Sequence, residues 1–259
     1  GSNRIIAGDG LDTVNGGSGN DTIYGGNDND LIYGAGGNDE IDAGSGDDIV
    51  YGGDGNDLIY GRAGNDTLYG QNGNDTIYAI AGNNQIYSGS GNDSIIGGVG
   101  NDTIDTADGD DTITASSGTN YINAGAGNDS VETGAGNDTI LGGADNDTIN
   151  AQGGNDSIDA GAGDDLVYAG EGNDIIYARG GNDTIYAQAG DDTIEGIAGN
   201  NLLSGGAGND SIIGGVGNDT LDGGDGNDII ITNNGNNRAG GGNGNDTVTA
   251  GTGNDTIFG

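Results

Sequence analysis

Gly16-Gly17-Ser18-Gly19-Asn20-Asp21-Thr22-Ile23-Tyr24 is the stretch whose reading decides what this chain can fold into. It has the form G-G-x-G-x-D-x-U-x, with U a large apolar residue, and its features return every nine residues. Asp stands at 12, 21, 30, 39, 48, 57, 66 and 75, and the spacing holds without slippage to Asp255. Of the 28 slots from 12 to 255, 24 hold Asp and four hold Asn, and Asn3 fills one more upstream. An apolar residue follows each slot by two positions, as in Ile23, Ile32 and Ile41, with Ala239 the clear exception. Gly precedes each slot by two positions, except at Asp28 and Asp145.

Each part of the unit has a physical job. Glycines permit positive φ and close backbone approach, so the first six residues are predicted to make a tight turn. The last three are predicted to form a short strand, with U pointing inward and its neighbours pointing to solvent. Two units then make one coil of 18 residues. The expected fold is all-β, a right-handed parallel β-roll (a two-sheet β-solenoid) of about 14 coils, with residues 1–259 as one continuous array.

In such a coil, slots 18 residues apart stack on one edge. One edge carries Asp12, Asp30, Asp48, Asp66, Asn84, Asp102, Asn120, Asp138, Asp156, Asp174, Asp192, Asp210, Asp228 and Asp246. The other carries Asp21, Asp39, Asp57, Asp75, Asp93, Asp111, Asp129, Asp147, Asp165, Asp183, Asn201, Asp219, Asn237 and Asp255. Adjacent carboxylates about 5 Å apart repel by roughly 0.8 kcal/mol each, even at the dielectric constant of water. Nine such Asp–Asp pairs lie on each edge, so the cation-free roll is expected to be largely unfolded. A cation between turns reverses the sign. Carboxylates, amides and carbonyls in flexible turns are hard oxygen donors, which suits Ca2+ better than Mg2+ or softer metals. All 28 slots are therefore candidate calcium ligands.

Composition excludes much else. Glycine supplies 62 residues, Pro, Cys, Met, Trp and His are absent, and the net charge is -38. A chain of this balance without repeats reads as disordered. Collagen would need a three-residue period and proline. Without His or Cys there is no ordinary nucleophile–base pair, zinc site or disulfide, so no catalytic residue is assigned and no enzyme is expected. A polyanion with only four arginines is not expected to bind nucleic acid. No apolar run is long enough for membrane insertion as a helix.

The repeating unit resembles the RTX (repeats-in-toxin, hemolysin-type) calcium-binding nonapeptide, and the resemblance covers essentially the whole chain. It implies secretion, often by a type I system, and folding triggered by extracellular calcium. It also implies roughly one ion per pair of stacked same-edge turns, held by carboxylates of both turns and by backbone carbonyls. One such site would use Asp21 and Asp39 with carbonyls near Gly16, Ser18, Ala35 and Gly37. An Asn slot keeps an oxygen ligand but loses its charge, which predicts weaker sites around Asn84–Asp102–Asn120 and Asn201–Asp219–Asn237.

The array is itself duplicated. Ser94–Asp102 and Ser211–Asp219 both read SIIGGVGND, 117 residues apart. Thirteen nonapeptides thus form a super-repeat, at 3–119, 120–236 and, in part, 237–259. Because 13 is odd, each copy is expected on the opposite face from its predecessor, which suits a spacer or lattice element. Tyr51, Tyr69 and Tyr87 are expected to stack on one face, with Tyr60 and Tyr78 on the other. The chain begins without Met and stops in mid-pattern at Phe258-Gly259, so the expectation is either a segment cut from a longer array or ends that stack on neighbours.

These features point to a secreted structural region of a bacterial surface, matrix, adhesin or surface-layer protein. Calcium is the expected partner, with other copies of the chain (end-to-end or lateral) and surface glycans as further candidates. The alternative is the C-terminal calcium-binding module of a type I-secreted enzyme or toxin. Ice binding is more remote, because Leu31, Glu40, Ile49, Gln85 and Tyr121 break the threonine ranks.

Overall fold

The three residues after each slot are rich in Ile, Val, Thr and Tyr, which pack well on a pleated surface. In the computed structural model, which describes residues 1–259, every repeat supplies one strand. There are 29 strands and no helix. The first four are β1 (Arg4–Asp9), β2 (Thr13–Ser18), β3 (Thr22–Asn27) and β4 (Leu31–Gly36). β1 pairs with β3 and β2 with β4, both in parallel. The register offset is the coil length: Ile5 lies beside Ile23, and Ile32 beside Val50.

The chain divides into two compact units, Gly1–Thr133 and Gly134–Gly259. Each is a parallel two-sheet β-solenoid in which successive strands alternate between the sheets. In the second unit, Ile140 pairs with Ile158 in one sheet and Ile149 with Val167 in the other.

The strands differ from expectation in length. Most span six residues rather than three, because the first three residues of the next unit continue the ladder. Gly26 and Asn27 still pair with Gly44 and Ser45 after the Thr22–Tyr24 segment has paired with Glu40–Asp42. Only the three residues ending at the slot form the sharp turn. A positive φ within the strand lets the chain bend without leaving the ladder; it is +126° at Gly26. Non-glycine residues occupy the same bend elsewhere, Arg62 at +78° and Ile80 at +81°. A β-branched residue there is strained. At the turn itself the constraint is steric as well, since a Cβ on Gly64 would overlap the Gly46 carbonyl of the preceding coil.

The core has two inward positions per repeat. One is the predicted aliphatic residue, such as Ile41, Ile59 and Ile104, each with no exposed surface. The other lies two residues on and was not anticipated: Ala43, Ala79, Ala115 and Ala160 are equally buried. Strand Glu40–Ser45 shows the alternation, with Ile41 and Ala43 both inside. In so thin a core, Ile104→Ala leaves a cavity that neighbours cannot fill. It is expected to cost about 2–5 kcal/mol, read as a lowered urea midpoint in saturating calcium.

Candidate metal centre

The turn that ends in the slot directs its side chain into the coil. All slots except Asp12, Asp246 and Asp255 are buried, Asp48 and Asp66 to 1 % exposure. These are not the solvated edges that a sequence of alternating acids suggests. Charges of this kind are costly to bury unless partnered.

One carboxylate oxygen is accounted for. The Asp21 N–H donates to Asp39 Oδ1 at 2.8 Å, Asp39 to Asp57 at 2.8 Å, and Asp48 to Asp66 at 3.0 Å. Slots stacked on one edge are thus brought together as predicted, through a backbone-to-carboxylate ladder. The other oxygen is not accounted for. Oδ2 of Asp21, Asp39, Asp57, Asp66, Asp156 and Asp192 is buried with no hydrogen-bond partner in the protein.

These orphaned oxygens share a common setting. A point one Cβ bond length from the Gly16 Cα lies 2.5 Å from Asp21 Oδ2 and 2.9 Å from the Gly34 carbonyl oxygen. The equivalent point at Gly34 lies 2.5 Å from both Asp39 Oδ2 and the Gly52 carbonyl. At Gly61 the distances are 2.5 Å to Asp66 Oδ2 and 3.3 Å to the Ala79 carbonyl. These three corners therefore each bring together a carboxylate oxygen and a carbonyl oxygen from the next coil, and that Oδ2 has no donor. Hard oxygen donors of this kind are the ligands that Ca2+ takes. No three acidic side chains converge on one point, so main-chain carbonyls and water are the donors left to complete a shell. The carbonyl sharing the Asp21 corner is that of Gly34, which was not among those expected, and Asp39 reaches Asp21 through its backbone N–H.

Burial also sets the protonation chemistry. Desolvation is the largest influence at Asp57, Asp111, Asp156 and Asp192, and it raises them to about 7. Asp48, Asp66, Asp75, Asp183 and Asp210 are raised to about 6. Coulombic repulsion from the stacked neighbours adds to this at Asp57, from Asp75 and Asp39. Hydrogen bonds from the preceding slot oppose it but do not win.

Two further features escaped the sequence reading. The residue before the slot forms an outer ladder: Asn38 N–H donates to Asn20 Oδ1 at 3.0 Å, and Asn56 to Asn38 at 3.1 Å. Its signal was the recurrent Asn at that position. The first residue of each nonapeptide faces the corner, and it is always Gly, Ala, Ser or Thr, a size restriction legible in the sequence. Where it bears a hydroxyl, that group bonds the next coil: Ser88 Oγ donates to the Thr106 carbonyl at 3.3 Å, and Thr106 Oγ1 to that of Ala124 at 2.6 Å.

On the outer faces the tyrosines stack as expected. Tyr33, Tyr51, Tyr69 and Tyr87 are spaced 5.1, 4.6 and 5.1 Å between ring centroids, and Tyr60–Tyr78 is 5.1 Å. The duplicated arginines are alike as well. Arg62 pairs with Asp42 at 2.7 Å over the Tyr60 ring, and Arg179 with Asp159 at 2.6 Å over Tyr177.

Repeating buried acid corners on a parallel solenoid define a class of calcium-binding β-roll proteins. The chain belongs to the RTX calcium-binding nonapeptide repeat family, whose model matches in overlapping stretches from residues 1–32, 24–59 and 33–68 through to 195–230, 204–239 and 231–259. It binds Ca2+ through these repeats. No curated protein sequence matches the chain. Among solved structures it is similar to a hyperactive, Ca2+-dependent, β-helical antifreeze protein from an Antarctic bacterium. That likeness has 23 % identity and a TM-score of 0.38, over 99 % of this chain and 82 % of the other.

Proposed function

We propose that the slot aspartates hold rows of calcium ions along both edges, and that the ions fold the chain into a non-catalytic structural region of a secreted bacterial surface protein. The observation that carries the reading is the buried, unpartnered Oδ2 that recurs in coil after coil. A cation between that oxygen and the next coil's carbonyl turns two repelling acceptors into a cross-link. The chain's own residues supply the rest: the ladder of backbone N–H groups orients each carboxylate, and the small first residue leaves room beside it.

The structural role draws support from how uniformly the repeat is used. The chain has neither His nor Cys, and its acids are spent on slots or exposed surface. Tyrosine stacking favours contacts along the faces between copies over glycan stacking, because within each ladder the ring faces already cover one another. The alternative, a calcium module of a secreted enzyme or toxin, differs in what is joined to it.

Asp57→Ala with Asp75→Ala is expected to remove bound calcium and to raise several-fold the calcium needed for half-folding, followed by equilibrium dialysis and circular dichroism. Unchanged binding would remove these residues from the site. For the surface role, the parent protein is expected in the extracellular or cell-surface fraction. Recovery in the cytoplasm, or a catalytic domain in the same polypeptide, would overturn it.

A further inference from the structure

We propose, on the strength of the calcium reading above, that Asn84, Asn120, Asn201 and Asn237 close their corners without an ion, the side-chain amide bonding main-chain carbonyls of its own turn or repeat where an aspartate leaves an unpartnered oxygen. All four are as buried as the acids, at 1–2 % exposure. Their Oδ1 atoms do what the aspartate Oδ1 atoms do. Asn84 Oδ1 accepts from the Asp66 N–H at 3.0 Å, and Asn201 Oδ1 from Asp183 at 2.9 Å. The ligand oxygen that the sequence reading left to each Asn is therefore already engaged.

The difference lies in the second atom. Asn84 Nδ2 donates to the Gly82 carbonyl and to Asp102 Oδ1, each at 3.1 Å. Asn120 Nδ2 donates to the Gly118 carbonyl at 3.4 Å and Asn201 Nδ2 to that of Gly196 at 3.4 Å. Asn237 Nδ2 donates to the Thr232 carbonyl at 3.3 Å and to Asp255 Oδ1 at 3.1 Å.

The comparison can be made at one equivalent point. Beside Gly34 the nearest atoms are two acceptors, Asp39 Oδ2 and the Gly52 carbonyl. Beside Gly196 they are an acceptor and a donor, the Gly214 carbonyl and, 2.9 Å away, Asn201 Nδ2. The NH2 group there donates to the Gly196 carbonyl of its own repeat and presents hydrogens, not lone pairs, to any cation. Two acceptors require a cation; a donor facing an acceptor does not.

Placement gives the substitution a consequence. Asn84 and Asn120 bracket Asp102 in the first unit, and Asn201 and Asn237 bracket Asp219 in the second. Asp102 and Asp219 each donate their N–H to an asparagine, at 3.0 and 2.8 Å, in place of a neighbouring carboxylate. Each unit thus contains a short stretch in which one edge carries asparagine on both sides of a single acid, Asp102 or Asp219, while the other edge keeps its acids, Asp93 and Asp111 or Asp210 and Asp228. The asparagine corners are joints that hold without calcium, while Asp102 and Asp219 between them keep an orphaned Oδ2.

The test is an ion count on the whole chain by equilibrium dialysis with calcium alone. The chain with Asn84→Asp, Asn120→Asp, Asn201→Asp and Asn237→Asp is expected to bind four more ions than the natural sequence. In case that chain folds poorly, a second carries Asp57→Asn and Asp156→Asn and is expected to bind two fewer while remaining folded. Equal counts for the natural sequence and either variant would overturn the assignment of metal-free corners. No bound calcium in any of the three would instead overturn the calcium reading itself. Hydrogen exchange at falling calcium gives an independent readout: amides of Asp66 and Asp183, bonded to asparagine Oδ1, should outlast those of Asp39 and Asp156. The reverse order would count against the joints.

Discussion

Stripped of calcium at neutral pH, the chain is expected to lose nearly all of its β signal in circular dichroism, and to regain it in full when calcium is returned. The buried acids make this the largest single effect available. A buried, unpartnered Oδ2 recurs along both edges, and at corners such as those of Gly16, Gly34 and Gly52 it lies beside a carbonyl oxygen of the next coil. Only one large aliphatic side chain per nonapeptide opposes that cost, because the second inward position holds nothing bigger than Thr. Metal binding is then inseparable from folding. Mg2+ is expected to substitute poorly, since it keeps its waters and demands octahedral geometry. A complete β spectrum in chelator would contradict the account.

Acid is expected to do part of the work of calcium. Slot acids such as Asp57, Asp111, Asp156 and Asp192 are raised by burial from 3.8 to about 7 in the folded chain. A carboxyl group whose folded value lies above its unfolded one favours the fold fully below the unfolded value. That contribution is lost as pH rises through the folded value. In calcium-free buffer at about pH 3 the chain should therefore hold β structure, losing it progressively from about pH 4 to pH 7. The chemical reason parallels the asparagine corners: a protonated Oδ2 becomes a donor and can bond a nearby main-chain carbonyl. Far-UV circular dichroism against pH, at low protein concentration because the isoelectric point is near 4.1, would show it. A chain that stays unfolded at every pH without calcium would contradict the burial argument.

Much of this molecule was legible in one dimension. The nine-residue spacing alone indicated parallel coils of 18, with Ile23 beside Ile41 and Asp21 beside Asp39, because an unbroken period leaves only one register for identical units. The tyrosine stacks followed from the same register.

Tertiary structure decided what the period cannot express, namely which way each side chain faces across a bend of positive φ. That bend lets residues such as Gly26 and Asn27 stay in the ladder and precedes the turn that draws Asp48 out of water, while strand alternation from Ile41 puts Ala43 inside as a second core position. It also separates the two atoms of each slot, so that Oδ1 is bound by backbone and only the other atom meets the corner. At that second atom a carboxylate and an amide behave oppositely, one needing a cation and the other bonding the main chain. Sequence records the exchange of Asp for Asn, but only the packed corner shows which atom the exchange replaces.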